Sequence, residues 1–215
     1  MSILLIILYA LSCVTLLYSC VPPQKKKLRH IARPAMLISA VLCYLLCAEY
    51  ISIPIVLALI LFACGGVMLL RSEQTGMVKR AYACYALALI LYGVLCLLSM
   101  TKRPTALVCV LGVAVYGAVI FGILYKLIPS CLPEVRPYVC IETAAAGFFA
   151  VSSMLFAFHG GSAGSKLIYI GSFFWIICSV LHLIHRYRRK IKMGVFYIML
   201  TNIVAISLIV FGSVA

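Results

Sequence analysis

The sequence predicts an all-α, polytopic membrane protein of about eight transmembrane helices with short loops and both termini outside. Three observations carry that prediction. Of 215 residues, 66% are hydrophobic and only 10% are charged, with a mean hydropathy of +1.22. A water-soluble domain is about 45–50% apolar and about 25% charged. The apolar residues fall in long runs, and the basic residues gather on alternate loops. Too little polar surface remains to coat a globule, which excludes a soluble enzyme, a secreted disulfide scaffold and a large extramembrane domain. No linker, low-complexity tract or internal repeat divides residues 1–215, so the chain reads as a single integral membrane domain.

A helix crosses a bilayer in about 20 residues. The first run, Ser2–Val21, has no Lys or Arg before Lys25. It therefore lacks the basic start of a cleaved signal and reads as a retained span. Pro34–Ala48 and Ile53–Leu70 are short, but fused they would give about 37 residues, too many for one crossing. The chain is accordingly expected to break near Glu49 and Tyr50. Lys79–Met100, Pro104–Leu127, Tyr138–Phe158, Leu167–Ile184 and Gly194–Val214 complete the set. Helices satisfy their own backbone in lipid, and the alternation suited to a membrane barrel is absent.

Orientation follows from the basic residues. The odd-numbered loops hold fifteen: Lys25, Lys26, Lys27, Arg29 and Arg33; Arg71, Lys79 and Arg80; Lys126 and Arg136; Arg186, Arg188, Arg189, Lys190 and Lys192. The other side has Lys102, Arg103 and Lys166. The positive-inside rule places the fifteen in the cytoplasm. A net charge of +14 then reflects basic loops facing anionic lipid, and no nucleic-acid partner is expected. The short loops favour a cell membrane, specifically a bacterial cytoplasmic one.

Within the spans, an ionisable group is costly and is a default site candidate. All four acids are glutamates, Glu49, Glu73, Glu134 and Glu142, and Glu142 lies about one turn inside helix six. It either pairs with a base such as Arg136 or serves as a general acid. His182 and His185, three residues apart, read as interfacial; His159, beside Gly160 and Gly161, and His30 read as surface residues. Eleven cysteines, nine of them inside apolar runs, read as packing; Cys43 and Cys47 share a helix face but lack the loop geometry of a zinc site. No metal or other cofactor is called for. Ser152, Ser153, Ser172, Ser179, Thr201 and Asn202 suit bonds within or between helices. No G-x-S-x-G or Ser/His/acid trio supports a serine hydrolase. Gly112, Gly117 and Gly122, five apart, do not share a face and read as scattered packing positions.

Four segments resemble the YhhN family of bacterial and animal lysoplasmalogenases. Arg33-Pro34 opens helix two where the family has Lys-Pro. The run from Leu61 to Leu70 (LFACGGVMLL) resembles its Gly-Asp segment in helix three. Leu91-Tyr92 matches a His-Leu-Leu-Tyr ending in helix four, and Gly171 to Lys192 resembles its Ser-Asp helix and basic loop. The resemblance implies an eight-helix fold and hydrolysis of a lysoplasmalogen vinyl ether to an aldehyde and a glycerophospho-headgroup. The family's helix-three acid falls on Gly66, its Ser-Asp pair on Cys178-Ser179 and its helix-four histidine on Leu89. With those carboxylates replaced, Glu142 is the expected catalytic acid. Depth arithmetic at 1.5 Å per residue puts Gly66, Glu142 and Ser179 about 6–8 Å below one interface. Gly66, Ser179, Arg33, Tyr92 and Asn202 are the expected substrate contacts, and a membrane lysophospholipid is the expected partner. The alternatives are a non-catalytic lipid-binding or structural protein of the same fold, and a small transporter. The paired broken helices of many transporters are absent.

Overall fold

The computed structural model describes residues 2–21, 25–71, 74–159 and 162–215, without the side chains of Ser2, Lys26 and Arg71. Glu73, Gly160, Gly161 and the charges of Lys26 and Arg71 thus lie outside the described residues. Eight α-helices follow the apolar runs: α1 Ser2–Cys20, α2 Lys26–Cys47, α3 Ile53–Met68, α4 Thr75–Leu98, α5 Ala106–Leu127, α6 Arg136–His159, α7 Ala163–Leu183 and α8 Gly194–Val214. Seven are long and apolar enough to cross a membrane. The eighth, α3, has 16 residues, about 24 Å of rise, and is prolonged by a 3₁₀ turn over Leu69–Arg71. No strand occurs among the described residues.

The break near Glu49 and Tyr50 stands where expected, with α2 ending at Cys47 and α3 starting at Ile53. The start of α2 does not. Arg33-Pro34 was expected to open this helix, but the helix begins at Lys26 and carries Pro34 inside it. The physical reason is that charge marks the end of the apolar slab, whereas a helix ends only where its backbone bonding stops. The Pro34 nitrogen cannot donate to the His30 carbonyl, a disruption of about 3 kcal/mol in a helix interior. The α7 start also moves outward, to Ala163, because the Ser162 Oγ accepts from the Ser165 N–H at 3.0 Å and caps it.

Six helices close a ring through the neighbour contacts α2–α3, α3–α4, α4–α6, α6–α7, α7–α8 and α8–α2. Helix α1 leans on the outside of α2 and α8, and α5 packs chiefly on α6. Burial follows this plan: 67% of the α6 span is buried but only 11% of the α5 span. Lipid gives apolar surfaces no reason to leave it, so helices associate through close packing and interhelical hydrogen bonds. The α7–α8 seam shows the first. A Cβ on Gly212 would stand 2.7 Å from the Gly164 carbonyl oxygen, and one on Gly164 would strike the Gly212 carbonyl. Hydroxyls show the second: Tyr9 and Ser207 join α1 to α8 at 2.7 Å, and Ser153 donates from α6 to Ser172 of α7 at 2.9 Å. Gly112 faces Met154, while Gly117 and Gly122 face open space.

Candidate functional site

A cavity of about 340 Å3 opens at the end of the bundle that carries the α2 N-terminus and the α7–α8 turn. Its walls come from five of the ring helices, α2, α4, α6, α7 and α8, from the 3₁₀ turn that prolongs α3 and from the α7–α8 turn, and from neither α1 nor α5. Its volume is at the lower end of small-molecule sites.

Glu142 forms the inner wall. Its side chain is 2% exposed. The Trp175 indole Nε1 donates to its Oε1 at 3.2 Å and the Ser179 Oγ donates to the same oxygen at 2.9 Å. Trp175 and Ser179 are four residues apart on α7, so one helix face presents both donors. The other oxygen, Oε2, has no hydrogen-bond partner. This asymmetry assigns roles to the two oxygens. In a neutral carboxyl, the carbonyl oxygen accepts and the hydroxyl oxygen donates. Two donors on Oε1 make it the carbonyl, and the proton of the acid form belongs on Oε2. Arg136, the alternative partner for Glu142, instead donates to the Cys131 and Pro129 carbonyls, each at 3.0 Å.

Opposite elements of the cavity are cationic. Arg33 is 5% exposed; its Nη2 donates to the Tyr85 hydroxyl at 3.3 Å, while its Nε has no partner. Tyr85 is held by the α3 glycine pair, since a Cβ on Gly65 would lie 2.7 Å from its ring. A Cβ on Gly66 would meet Leu37 Cδ1 at 2.6 Å and stand 3.5 Å from Arg33 Nε. Aromatic packing links the cation to the acid: the Tyr85 ring meets Trp175 edge-on, with centroids 5.1 Å apart. Arg29, Arg186 and Lys190 also line the cavity.

The structure therefore brings Glu142, Ser179, Arg33 and Asn202 to one cavity, with Gly66 directly behind Arg33. Tyr92 is elsewhere, between Phe62 and Phe149 at centroid distances of 6.0 and 5.8 Å, and does not line it. His182 and His185, read as interfacial, belong to the cavity wall. His182 stacks on Tyr82 at 6.2 Å, and the His185 Nδ1 accepts from the Ile191 N–H at 3.0 Å. Sequence reasoning missed Trp175, Tyr82 and Tyr85. The signal for Trp175 was its i, i+4 spacing from Ser179. No group of three or more His, Cys, Asp or Glu residues suited to a metal occurs among the described residues.

The YhhN family model matches residues 3–213, nearly the whole chain. No curated protein and no solved structure matches it.

Proposed function

The chain belongs to the YhhN family, and from that premise we propose that it hydrolyses the vinyl ether of a lysophospholipid within a cell membrane, the basic end of the bundle facing the cytoplasm. The observation that carries this reading is Glu142, a buried carboxyl on the cavity wall with one oxygen held by two donors and the other without a partner.

One carboxyl suffices if it acts twice. In its acid form Glu142 transfers the Oε2 proton to the vinyl carbon remote from the ether oxygen, leaving an oxocarbenium ion. The resulting carboxylate takes a proton from water as the water oxygen bonds to the carbon that bears the ether. The hemiacetal so formed shifts its hydroxyl proton to the ether oxygen as that C–O bond breaks. An aldehyde and the free hydroxyl of a glycerophospho-headgroup leave, and Glu142 has its proton back. Trp175, Tyr82 and Tyr85, on the same cavity, are aromatic rings of the kind that stabilise a passing positive charge. Ser179 holds the acid, while Arg33 and Asn202 contact the substrate, with Gly66 making room behind Arg33.

Aldehyde release from a defined lysoplasmalogen by the purified protein tests the reading. Glu142→Gln keeps an oxygen for Trp175 and Ser179 but has no acidic proton. Turnover is expected to fall by at least about 100-fold; equal turnover in the two proteins overturns the assignment. A second reading, a lipid-binding member that does not cut, is favoured by Glu142 being the single carboxyl on the cavity wall among the described residues. Its signature is bound lysolipid with no aldehyde from the wild-type protein.

A further inference from the structure

We propose that Arg33 anchors a phosphate, so that the cavity selects phosphate-bearing ligands over neutral ones of the same chain. This rests on the reading above for the identity of the lipid, but not for the existence of the anion site.

A guanidinium has five N–H donors, and burying it without a counter-charge is costly. Arg33 is 95% withdrawn from solvent by its 5% exposure, yet no carboxylate lies within ion-pair distance among the described residues, where the one ion pair joins Lys79 to Glu134. Glu142 shares the cavity, but its Oε1 is taken by Trp175 and Ser179 and its Oε2 bonds to nothing. The Arg33 Nε is buried without a partner, and Gly66, whose Cβ would stand 3.5 Å from it, brings no acid to meet it. The counter-ion must come with the ligand.

Phosphate fits that vacancy in charge and in shape. Its oxygens match the planar fork of an arginine two at a time. Arg29, one turn earlier on the same helix, and Lys190 from the α7–α8 turn line the same cavity and supply further positive charge. With the anion held at Arg33, the opposite end of a glycerol backbone is directed toward Glu142, which orders the ligand along the cavity. The phosphate comes either from a lipid headgroup or from the free anion.

The test measures binding to the full-length protein in detergent with ligands that cannot be cut. The probes are a saturated 1-O-alkyl-glycero-3-phosphate, the neutral 1-O-alkylglycerol of equal chain length, and inorganic phosphate. Wild-type protein is expected to prefer the phosphate lipid by at least about tenfold. Arg33→Gln should erase about 10- to 100-fold of that affinity, the range of a charge-assisted bond, while affinity for the alkylglycerol stays within about threefold. Arg33→Lys keeps the buried charge but not the fork, so it should lose less and serves where Arg33→Gln does not fold. Tight binding of inorganic phosphate, abolished by the same variants, would support the anion site with the free anion as its source. An absent phosphate preference, or one that survives in a folded Arg33 variant, overturns the proposal. Because the probes contain no vinyl ether, this result is independent of whether Glu142 is catalytic.

Discussion

Ser179 offers a direct measure of how Glu142 is held. Replacing it with Ala removes the 2.9 Å bond to Oε1 and leaves the 3.2 Å bond from Trp175. A net hydrogen bond is worth about 0.5–1.5 kcal/mol, which converts to about a two- to thirteenfold fall in turnover if the bond orients the acid in the transition state. Ser179→Ala combined with Trp175→Phe leaves Oε1 buried with no donor, and a stranded buried acceptor costs about 1–3 kcal/mol. The double variant should therefore lose more than the product of the single losses. The assay is aldehyde release against lysoplasmalogen concentration. The fall belongs in kcat, with KM changed little, because neither donor is required to hold the substrate, and Ser179→Thr should restore most of the rate. A double variant as active as the wild type, in folded protein, would refute the assignment of Oε1 as the anchored oxygen.

Two further outcomes concern stability. Gly212→Ala places a Cβ 2.7 Å from the Gly164 carbonyl, backbone that cannot turn aside, so the detergent-solubilised protein should lose about 1–3 kcal/mol; Gly117→Ala, facing open space, should lose nothing in the same thermal scan. Glu134→Gln breaks the 3.0 Å pair with Lys79, whose side chains are 71% and 29% exposed, and the same scan should register less than about 1 kcal/mol.

The helices were legible because lipid imposes a length and a polarity on each crossing, and this chain obeys both. The eight residues from Lys26 to Arg33 were not. Their charges mark the end of the apolar slab, and nothing in hydropathy tells a helix projecting from it apart from a loop. Glu142 was legible as an acid in an apolar run, and equal depth was enough to associate it with Ser179. Its aromatic neighbours were not, since Trp175, Tyr82 and Tyr85 have the same sequence signature whether they pack a core or line a cavity. The deciding fact for Tyr85 is its fit against Gly65, a contact between two helices that no single run of residues encodes. Tyr92 shows the converse: the resemblance drew it to the site, but Phe62 and Phe149 on either side of it make it core.

The ring that walls the cavity is joined at α2–α8, which places Arg33 and Asn202, far apart in the chain, on one surface. That join sets an order on biogenesis. At a synthesis rate of about 5–20 residues per second, about 10–30 s separate the emergence of α2 from that of α8. Throughout that interval Arg33 and, later, Glu142 stand without the α8 wall of the cavity. Because α8 is the last helix in the chain and walls the cavity, the cavity is the last part of the molecule to be completed.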